Sequence, residues 1–179
     1  MYYFTTYLSP LGPLRLISDG EHVTALSIEK QKYACSPEYR EALQNSSLPV
    51  FQETIKWLAA YFAKEKPSIN ALPLSPEGSA FRQEIWRLLC EIPYGQVTTY
   101  GCLARQAAVN MEKKAMSAQA VGGAVGHNPI PIIIPCHRVV GSDGSLTGFS
   151  AGIEKKIWLL RHEGLEMSEF TVPTHGTAL

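Results

Sequence analysis

The chain has 179 residues, of which 16 are basic and 16 are acidic, so its formal net charge is zero. A balanced charge argues against a protein that holds nucleic acid by electrostatic attraction alone. The length suffices for a buried core, in one domain or in two small ones. The four cysteines, at positions 35, 90, 102 and 136, include no C-x-x-C pair, so neither a disulfide framework nor a zinc site is indicated.

The chain shows no secretion or membrane signal. Residues 1–6 have no basic region ahead of an apolar one, so no signal peptide is predicted. No apolar run approaches the roughly 20 residues needed to span a bilayer. We therefore expect a cytoplasmic protein with no membrane partner.

The N-terminal part predicts a small antiparallel sheet followed by a helix. Alternating side chains and a turn at Asp19-Gly20 predict three strands, at 2–8, 13–18 and 22–28. Apolar residues at helical spacing predict an amphipathic helix at 50–64. Three prolines between residues 67 and 78 indicate a linker. The chain is thereby divided into an N-terminal domain, a C-terminal domain and a loose tail, at 1–78, 79–170 and 171–179.

The C-terminal domain is predicted to be mostly helical. Apolar spacing and capping residues predict four helices, the first from Ser79 to the Pro93-Tyr94-Gly95 turn and the others at 100–107, 115–125 and 153–162. The two short middle helices suggest a helix-turn-helix, with a connector longer than the usual three or four residues. Together with the N-terminal sheet, this gives an α+β fold class.

The apolar, β-branched run at 132–134 ends at Pro135 and is followed directly by Cys136 and His137. Isoleucine favours a strand, and proline ends one because it cannot donate to a sheet ladder. We therefore predict a short strand that leads to Cys136. A thiol beside a group that can take its proton is the expected position of a cysteine nucleophile.

His137 and Glu163 are the candidates to activate that thiol. Neighbours in an extended chain point to opposite faces, so His137 is expected to act on Cys136 through a bridging water unless the chain turns there. Glu163, at the end of the last helix, is the best acidic partner for the far nitrogen of the imidazole. The structural alternatives are an inert buried cysteine, a core histidine and a solvated carboxylate.

Residues 118–124, Ala-Gln-Ala-Val-Gly-Gly-Ala, form a run of small residues that includes the polar Gln119. Glycine inside a helix costs about 1 kcal/mol relative to alanine, so the pair Gly122-Gly123 indicates a close approach. Either this helix packs tightly against another helix, or its smooth face lies against nucleic acid. In the second case the nearby basic side chains are available for phosphates: Arg105, Lys113 and Lys114.

Several motifs together resemble the O6-alkylguanine-DNA alkyltransferases, also called methylated-DNA–protein-cysteine methyltransferases. The most specific is Pro-Cys-His-Arg-Val at 135–139, and the others are Pro-Tyr-Gly-Gln-Val at 93–97 with Tyr100, Ala-Val-Gly-Gly-Ala at 120–124, Asn-Pro at 128–129, Trp-Leu-Leu at 158–160 and His-Glu-Gly at 162–164. The resemblance runs from about residue 81 to residue 164. Residues 1–78 match only as the family's less distinctive N-terminal domain.

The resemblance implies a single-turnover DNA-repair enzyme, a methylated-DNA–[protein]-cysteine S-methyltransferase, that needs no cofactor or metal and works as a monomer. It would bind double-stranded DNA through the helix-turn-helix, flip the damaged base out of the duplex and move its alkyl group irreversibly to Cys136. O6-alkylguanine is the expected substrate, with O4-alkylthymine as a further candidate.

The resemblance also implies roles for individual residues. The catalytic set is Cys136, His137, Glu163, Tyr100 and Asn128. Within it, Tyr100 would give a proton or hydrogen bond to the leaving base, and Asn128 would order the thiolate. The substrate-binding set is Val139, Ser150 and Pro131. The DNA-binding set is Gln119, Ala120, Gly122, Gly123, Lys113 and Lys114.

Two features depart from the family pattern. The family places an arginine before Ala-Val-Gly-Gly, where it holds the gap left by the flipped base, whereas this chain has Gln119. Glutamine fills space and hydrogen-bonds but lacks the charged, planar guanidinium. The connector that precedes Gln119 is also longer than in the family, and its Lys113 and Lys114 are candidates to supply phosphate contacts. We therefore expect weaker DNA binding or flipping than in a typical member.

Two other functions are left open by the residues. A damage-binding protein with little or no repair activity would use the same helix-turn-helix, although the alkyltransferase-like proteins of that kind lack the cysteine that this chain has. A cysteine hydrolase unrelated to DNA could use Cys136, His137 and Glu163. In that case the helix of small residues would have no role.

Overall fold

The computed structural model describes residues 1–28 and 37–173. The chain forms two compact units. The first consists of Met1–Glu77 with Pro129–Ile133, and the second of Gly78–Asn128 with the chain from Ile134 onward. The first holds a small sheet and the second is mostly helical, so the predicted α+β class is confirmed. No helix in the described ranges is long and apolar enough to cross a membrane.

The first unit is built on a four-stranded sheet in the order β3-β2-β1-β4. Its strands are β1 (Tyr3–Ser9), β2 (Gly12–Ser18), β3 (Val23–Ile28) and β4 (Leu43–Gln44). The three predicted strands form antiparallel pairs, whereas β4 runs parallel to β1. Two residues are too few to show an alternating pattern, which is why the sequence gives no sign of β4.

A helix and two further chain segments accompany this sheet in the described part of the first unit. Helix α1 (Pro49–Phe62) confirms the helix predicted at 50–64, and it buries Phe51, Leu58 and Tyr61. The outer edge of β3 is covered by other chain segments, because the N–H of Val23 donates to Pro73 O at 2.8 Å and that of Leu26 donates to Pro129 O at 2.8 Å. Covering an edge strand in this way removes a site for unwanted pairing.

The part of the second unit that the structure describes contains four α-helices and a two-stranded parallel sheet. The helices are α2 (Ala80–Cys90), α3 (Tyr100–Asn110), α4 (Ala118–Gly126) and α5 (Ile153–His162), and the strands are β5 (Thr98–Thr99) and β6 (Val139–Val140). Helix α5 has the predicted bounds. It ends before Gly164, whose φ of 91° is the left-handed conformation expected for a residue that follows a helix.

Helices α3 and α4 form the helix-turn-helix that the sequence suggests. Thr99 caps α3, with its Oγ1 accepting from the N–H of Cys102 at 3.2 Å. Ser117 caps α4, with its Oγ accepting from the N–H of Ala120 at 3.1 Å. Hydroxyl caps of this kind fix where a helix starts. Helix α4 therefore begins three residues later than the sequence pattern predicts.

The predicted strand leading to Cys136 is wrong. Residues 132–133 lie in a turn, and residues 136–138 form a short 3-10 helix. Ile132 adopts a φ of 75°, which interrupts an extended chain and is uncommon for a β-branched residue. Pro131 and Pro135 also lack the N–H groups that a strand would need. The chain thus turns at the cysteine instead of running straight through it.

The end of the described chain is paired with the turn that follows β6. The N–H of Leu146 donates to Thr171 O at 2.8 Å, and the N–H of Thr171 donates to Gly144 O at 3.1 Å. Residues 174–179, which make up most of the predicted tail, lie outside the described residues, as does Cys35.

Candidate active site and DNA-binding surface

Cys136 begins the 3-10 helix and is only 3% exposed. Burial raises the pKa of its thiol to about 11, while a hydrogen bond from the side chain of Asn128 and the positive charge of Lys156 act in the opposite direction. A thiol with so high a pKa carries little thiolate at neutral pH. It is therefore an effective nucleophile only if a nearby base takes its proton as it reacts.

His137, the next residue of the same 3-10 helix, is fully buried and oriented by Glu163. Its Nε2 lies 2.7 Å from Glu163 Oε1. Because an ionised carboxylate only accepts, Nε2 must carry the hydrogen of the neutral imidazole. Nδ1 is then the basic nitrogen, and it has no hydrogen-bond partner among the described residues. Burial lowers the pKa of His137, which keeps the ring neutral and able to accept a proton.

The carboxylate of Glu163 accepts hydrogen bonds from His137, Arg138 and Gly95. Oε1 accepts from His137 Nε2 at 2.7 Å and from Arg138 Nη2 at 3.0 Å. Oε2 accepts from Arg138 Nε at 2.9 Å and from the N–H of Gly95 at 3.0 Å. Burial by itself would raise the pKa of Glu163, but the hydrogen bonds and positive charges of His137 and Arg138 hold it well below its usual range. Glu163 thus stays ionised and fixes the imidazole.

Arg138 completes this network, although no sequence pattern indicates a role for it. Its guanidinium is buried, and Nη1 also donates to Ile92 O at 2.6 Å.

The Pro93-Tyr94-Gly95 turn supplies the remaining hydrogen-bond donor to Glu163, the N–H of Gly95. Gly95 has a φ of 74°, and a Cβ there would lie 3.0 Å from Glu163 O. Only glycine combines this backbone conformation with so close an approach.

Asn128 lies beside the thiol, as the resemblance implies. Its Nδ2 donates to Ile134 O at 2.7 Å, and its side chain also hydrogen-bonds the Cys136 sulfur. With an exposure of 3%, it is positioned to fix the chain immediately before the 3-10 helix.

Lys156 is a second buried residue near the thiol that was not predicted from the sequence. Its side chain is fully buried, and Nζ donates to Val139 O at 2.6 Å and to Thr147 O at 2.7 Å. Burial lowers the pKa of Lys156 to about 8, and the interaction with Cys136 opposes that change. The signal was present in the sequence, because Lys156 occupies an inward position of α5, between Ile153 and Leu160 at helical spacing.

Tyr100 shares an acceptor with that lysine. The Tyr100 hydroxyl donates to Thr147 O at 3.0 Å, so two side chains from different helices hold one carbonyl of the loop between β6 and α5. Burial raises the pKa of Tyr100, with the nearby Cys136 contributing in the same direction. The hydroxyl therefore keeps its proton at neutral pH and is available as a donor.

The predicted substrate-binding residues are spread over different segments. Val139 is buried in β6, next to the 3-10 helix, and Ser150 lies in the half-buried turn that precedes α5. Pro131 belongs to the segment 129–133, which is part of the first unit.

The predicted DNA-binding residues lie on and beside α4. Val121, Ala124 and Val125 are buried, so one face of the helix packs into the unit. Gln119, Ala120 and Gly123 are exposed on the other face, Gly122 is half-buried against the ring of Tyr100, and Lys113 and Lys114 are exposed in the connector. Both alternatives for the small residues are therefore compatible with one helix, because one face packs and the other is smooth.

Known proteins resemble this chain over nearly its full length. The profile described as "6-O-methylguanine DNA methyltransferase, ribonuclease-like domain" matches residues 2–76, and the one described as "6-O-methylguanine DNA methyltransferase, DNA binding domain" matches residues 80–165. A Haemophilus influenzae protein named methylated-DNA–protein-cysteine methyltransferase is 47% identical over 161 residues, covering 90% of this chain and 86% of its own. A Methanosarcina acetivorans protein of the same name is 39% identical, covering 90% of this chain and 98% of its own.

Solved structures agree with these sequence matches. Mycobacterium tuberculosis OGT, crystallised in complex with DNA, superposes with a TM-score of 0.79 at 38% identity and covers 94% of each chain. Together with these matches, the fold, the buried cysteine and the helix-turn-helix define the class of protein. It is a DNA-binding alkyltransferase that uses a cysteine as the acceptor. The chain belongs to the 6-O-methylguanine DNA methyltransferase family.

Proposed function

We propose that this member of the family repairs DNA by transferring the alkyl group of O6-alkylguanine irreversibly to Cys136. The observation that carries the proposal is a buried thiol next to a histidine that a buried carboxylate orients. An inert structural cysteine would not require an adjacent, fully buried base with a free basic nitrogen, since burying polar groups is costly.

The reaction requires the damaged base to leave the duplex. Flipping costs a few kcal/mol and is easiest for a poorly paired base, which favours alkylated guanine over normal guanine. The exposed, small-residue face of α4 supports entry of the helix-turn-helix into a groove of DNA, because it carries no bulk that would clash. Gln119, on that face, would occupy the space that the flipped base leaves.

Proton transfer then activates the nucleophile. The Cys136 thiol passes its proton through a bridging water to Nδ1 of His137, and the ionised Glu163 stabilises the resulting imidazolium. Glu163 does not take the proton itself, since the hydrogen bonds from His137, Arg138 and Gly95 already favour its charged form. The proton therefore stops at His137.

The alkyl transfer is an in-line displacement. The Cys136 sulfur forms a bond to the alkyl carbon as the bond between that carbon and O6 breaks, and the electron pair of that bond goes to the guanine. Tyr100 hydrogen-bonds the ring and transfers its hydroxyl proton to it, so that the guanine leaves as a neutral base, and the tyrosinate then regains a proton from solvent as the imidazolium of His137 releases one. The product is a stable thioether, and each molecule acts once without a cofactor.

Intact-mass analysis tests this proposal. The protein is incubated with duplex DNA that carries one O6-methylguanine, and the expected product is a single methyl group on Cys136 that is absent in Cys136→Ala. Binding to the lesion without a change in mass would instead support a damage-binding protein. Neither binding nor methylation would favour a hydrolase unrelated to DNA. The proposal includes a cytoplasmic, monomeric protein, and size-exclusion chromatography checks the second point.

A further inference from the structure

A cleft of about 510 Å³ opens between α3 and the connector that leads to α4. Its floor is made of small side chains, including Ala104, Ala108 and Ala118. Three basic residues line it as well, Arg105, Lys113 and Lys114, and all three are exposed. None of its ten lining residues is acidic. In a chain of zero net charge, this grouping of cations around an apolar floor suits an anionic ligand with apolar parts.

The connector is held in place over the cleft by the way α3 ends. Glu112 takes a left-handed φ of 53°, and its N–H donates to Val109 O at 3.2 Å. The N–H of Lys113 donates to Ala108 O at 2.8 Å. These two bonds form a Schellman motif, and a non-glycine residue at its left-handed position costs roughly 1–2 kcal/mol. Lys113 and Lys114 therefore leave the helix in a defined direction, on the side of the cleft.

The start of α4 also borders the cleft and adds further positive potential. Ala118, which lines the cleft, is the first residue of α4, and the N-terminus of a helix carries a partial positive charge. The next residues of the same helix, Gln119 and Ala120, are exposed on the face that the proposed function assigns to DNA. The cleft and that face are therefore continuous through α4.

We propose that this cleft holds the sugar-phosphate backbone of one DNA strand beside the groove that α4 enters. Phosphates would contact Arg105, Lys113 and Lys114, and a deoxyribose would lie on the alanine floor, as sugar and phosphate contacts position most DNA-binding proteins. The long connector thereby compensates for an α4 that has no basic residue. This inference rests on the proposed function, because it takes the exposed face of α4 as the DNA-binding face.

The test is the salt dependence of DNA binding. The variant Arg105→Gln/Lys113→Gln/Lys114→Gln is compared with the wild-type protein on duplex DNA carrying O6-methylguanine, with Cys136→Ser in both to prevent reaction. Each lost phosphate contact lowers the slope of log Kobs against log[salt] by about 0.9. If all three side chains contact phosphates, the wild-type protein should lose about 40-fold more affinity than the variant over a fourfold rise in salt.

A matched variant removes the same charge from exposed positions outside the cleft: Lys56→Gln/Lys64→Gln/Arg161→Gln. Its slope should remain close to that of the wild-type protein. The proposal would be overturned if the cleft variant and the wild-type protein had equal slopes. It would also be overturned if the slope fell as much in the matched variant as in the cleft variant. A cleft variant that keeps DNA binding while losing affinity for a poly-glutamate peptide would overturn it too, since that result assigns the cleft to an acidic protein.

A second measurement separates this proposal from the proposed function. Alkyl transfer from the free base O6-benzylguanine to Cys136, in proteins that retain the cysteine, should be equal in the cleft variant and the wild-type protein because the cleft does not contain the reacting atoms. If the wild-type protein fails to accept an alkyl group from DNA or from the free base, the proposed function fails. If it accepts both and the salt slopes are equal, only the cleft proposal fails.

Discussion

The guanidinium of Arg138 and the carboxylate of Glu163 form a doubly hydrogen-bonded ion pair, with Nε 2.9 Å from Oε2 and Nη2 3.0 Å from Oε1. Both side chains are buried. Paired in this way, the carboxylate that orients His137 is held by a cation that belongs to the same short motif as the nucleophile. The ion pair therefore couples the stability of the second unit to the geometry of its active site.

Replacing Arg138 with methionine should lower the free energy of unfolding at pH 7 by about 3–5 kcal/mol, because it leaves the Glu163 carboxylate buried without its main partner. Urea unfolding measures this change. Arg87→Met is the matched control, since Arg87 pairs with Glu84 and Glu91 on the surface, and losing exposed pairs should cost at most about 1 kcal/mol. A similar loss in both variants would contradict a special role for Arg138.

The stability cost of Arg138→Met should also depend on pH. Glu163 has a lowered pKa in the folded protein, so its contribution is present above its unfolded pKa of about 4.3 and is lost as the pH falls towards the folded value. The wild-type protein should therefore lose more stability than the variant between pH 6 and about pH 3. Urea unfolding curves across that range measure the difference in free energy of unfolding between the two proteins. A difference that stays constant with pH would argue against Glu163 as its origin.

The rate of alkyl transfer should not rise with pH between pH 7 and pH 9, and loss of the Lys156 charge around its pKa of about 8 should lower it in this range. The buried thiol has a raised pKa, about 11, so a reaction through free thiolate would accelerate about tenfold per pH unit in this range. His137 removes that dependence by taking the proton, and its lowered pKa puts the acidic loss of rate below about pH 6.5. Single-turnover kinetics with O6-methylguanine DNA measures the profile.

The comparison variant for this profile is His137→Gln. Without a basic nitrogen next to the thiol, its rate should be low at pH 7 and should rise with pH as thiolate forms. A wild-type rate that climbs just as steeply would mean that His137 is not the base.

Replacing Lys156 with methionine should slow alkyl transfer by about 100-fold, the loss that a misplacement of roughly 1 Å in an active site causes. The substitution leaves Val139 O and Thr147 O without the donor that joins them, and it removes a positive charge that lowers the pKa of Cys136. Lys155→Met is the control, because Lys155 is its half-buried neighbour on α5 and donates only a 3.4 Å bond to Ala151 O. Equal rates in the two variants would exclude a role for Lys156.

Local signals account for what the sequence predicted correctly. Helices α1, α2 and α5 have regular apolar spacing, and Ser79 and Gly164 mark their ends. The residue types around the thiol were also informative, because a buried base requires a carboxylate partner and Glu163 was a suitable acid at a helix end. Its hydrogen bond to His137 spans 26 residues in sequence, yet it was found from chemistry alone.

Tertiary contacts account for what was missed. The partners of Arg138 lie 25 and 46 residues away, and no local pattern distinguishes it from a surface arginine. Lys156 was overlooked because a lysine in a helix is usually exposed. The strand expected before Cys136 failed because the left-handed conformation of Ile132 opposes the strand preference of isoleucine.

Gln119→Arg should increase the rate of repair on duplex DNA. Gln119 is exposed on the smooth face of α4, which carries no basic residue, and an arginine there would add a charged, planar group able to stack and to hydrogen-bond in the gap left by the flipped base. The rate with free O6-benzylguanine should not change, because no base has to be flipped. Gln119→Lys is the matched variant, since it adds the same charge without the planar group. If lysine raises the duplex rate as much as arginine, charge alone limits this protein, and if neither variant raises it, Gln119 does not limit flipping.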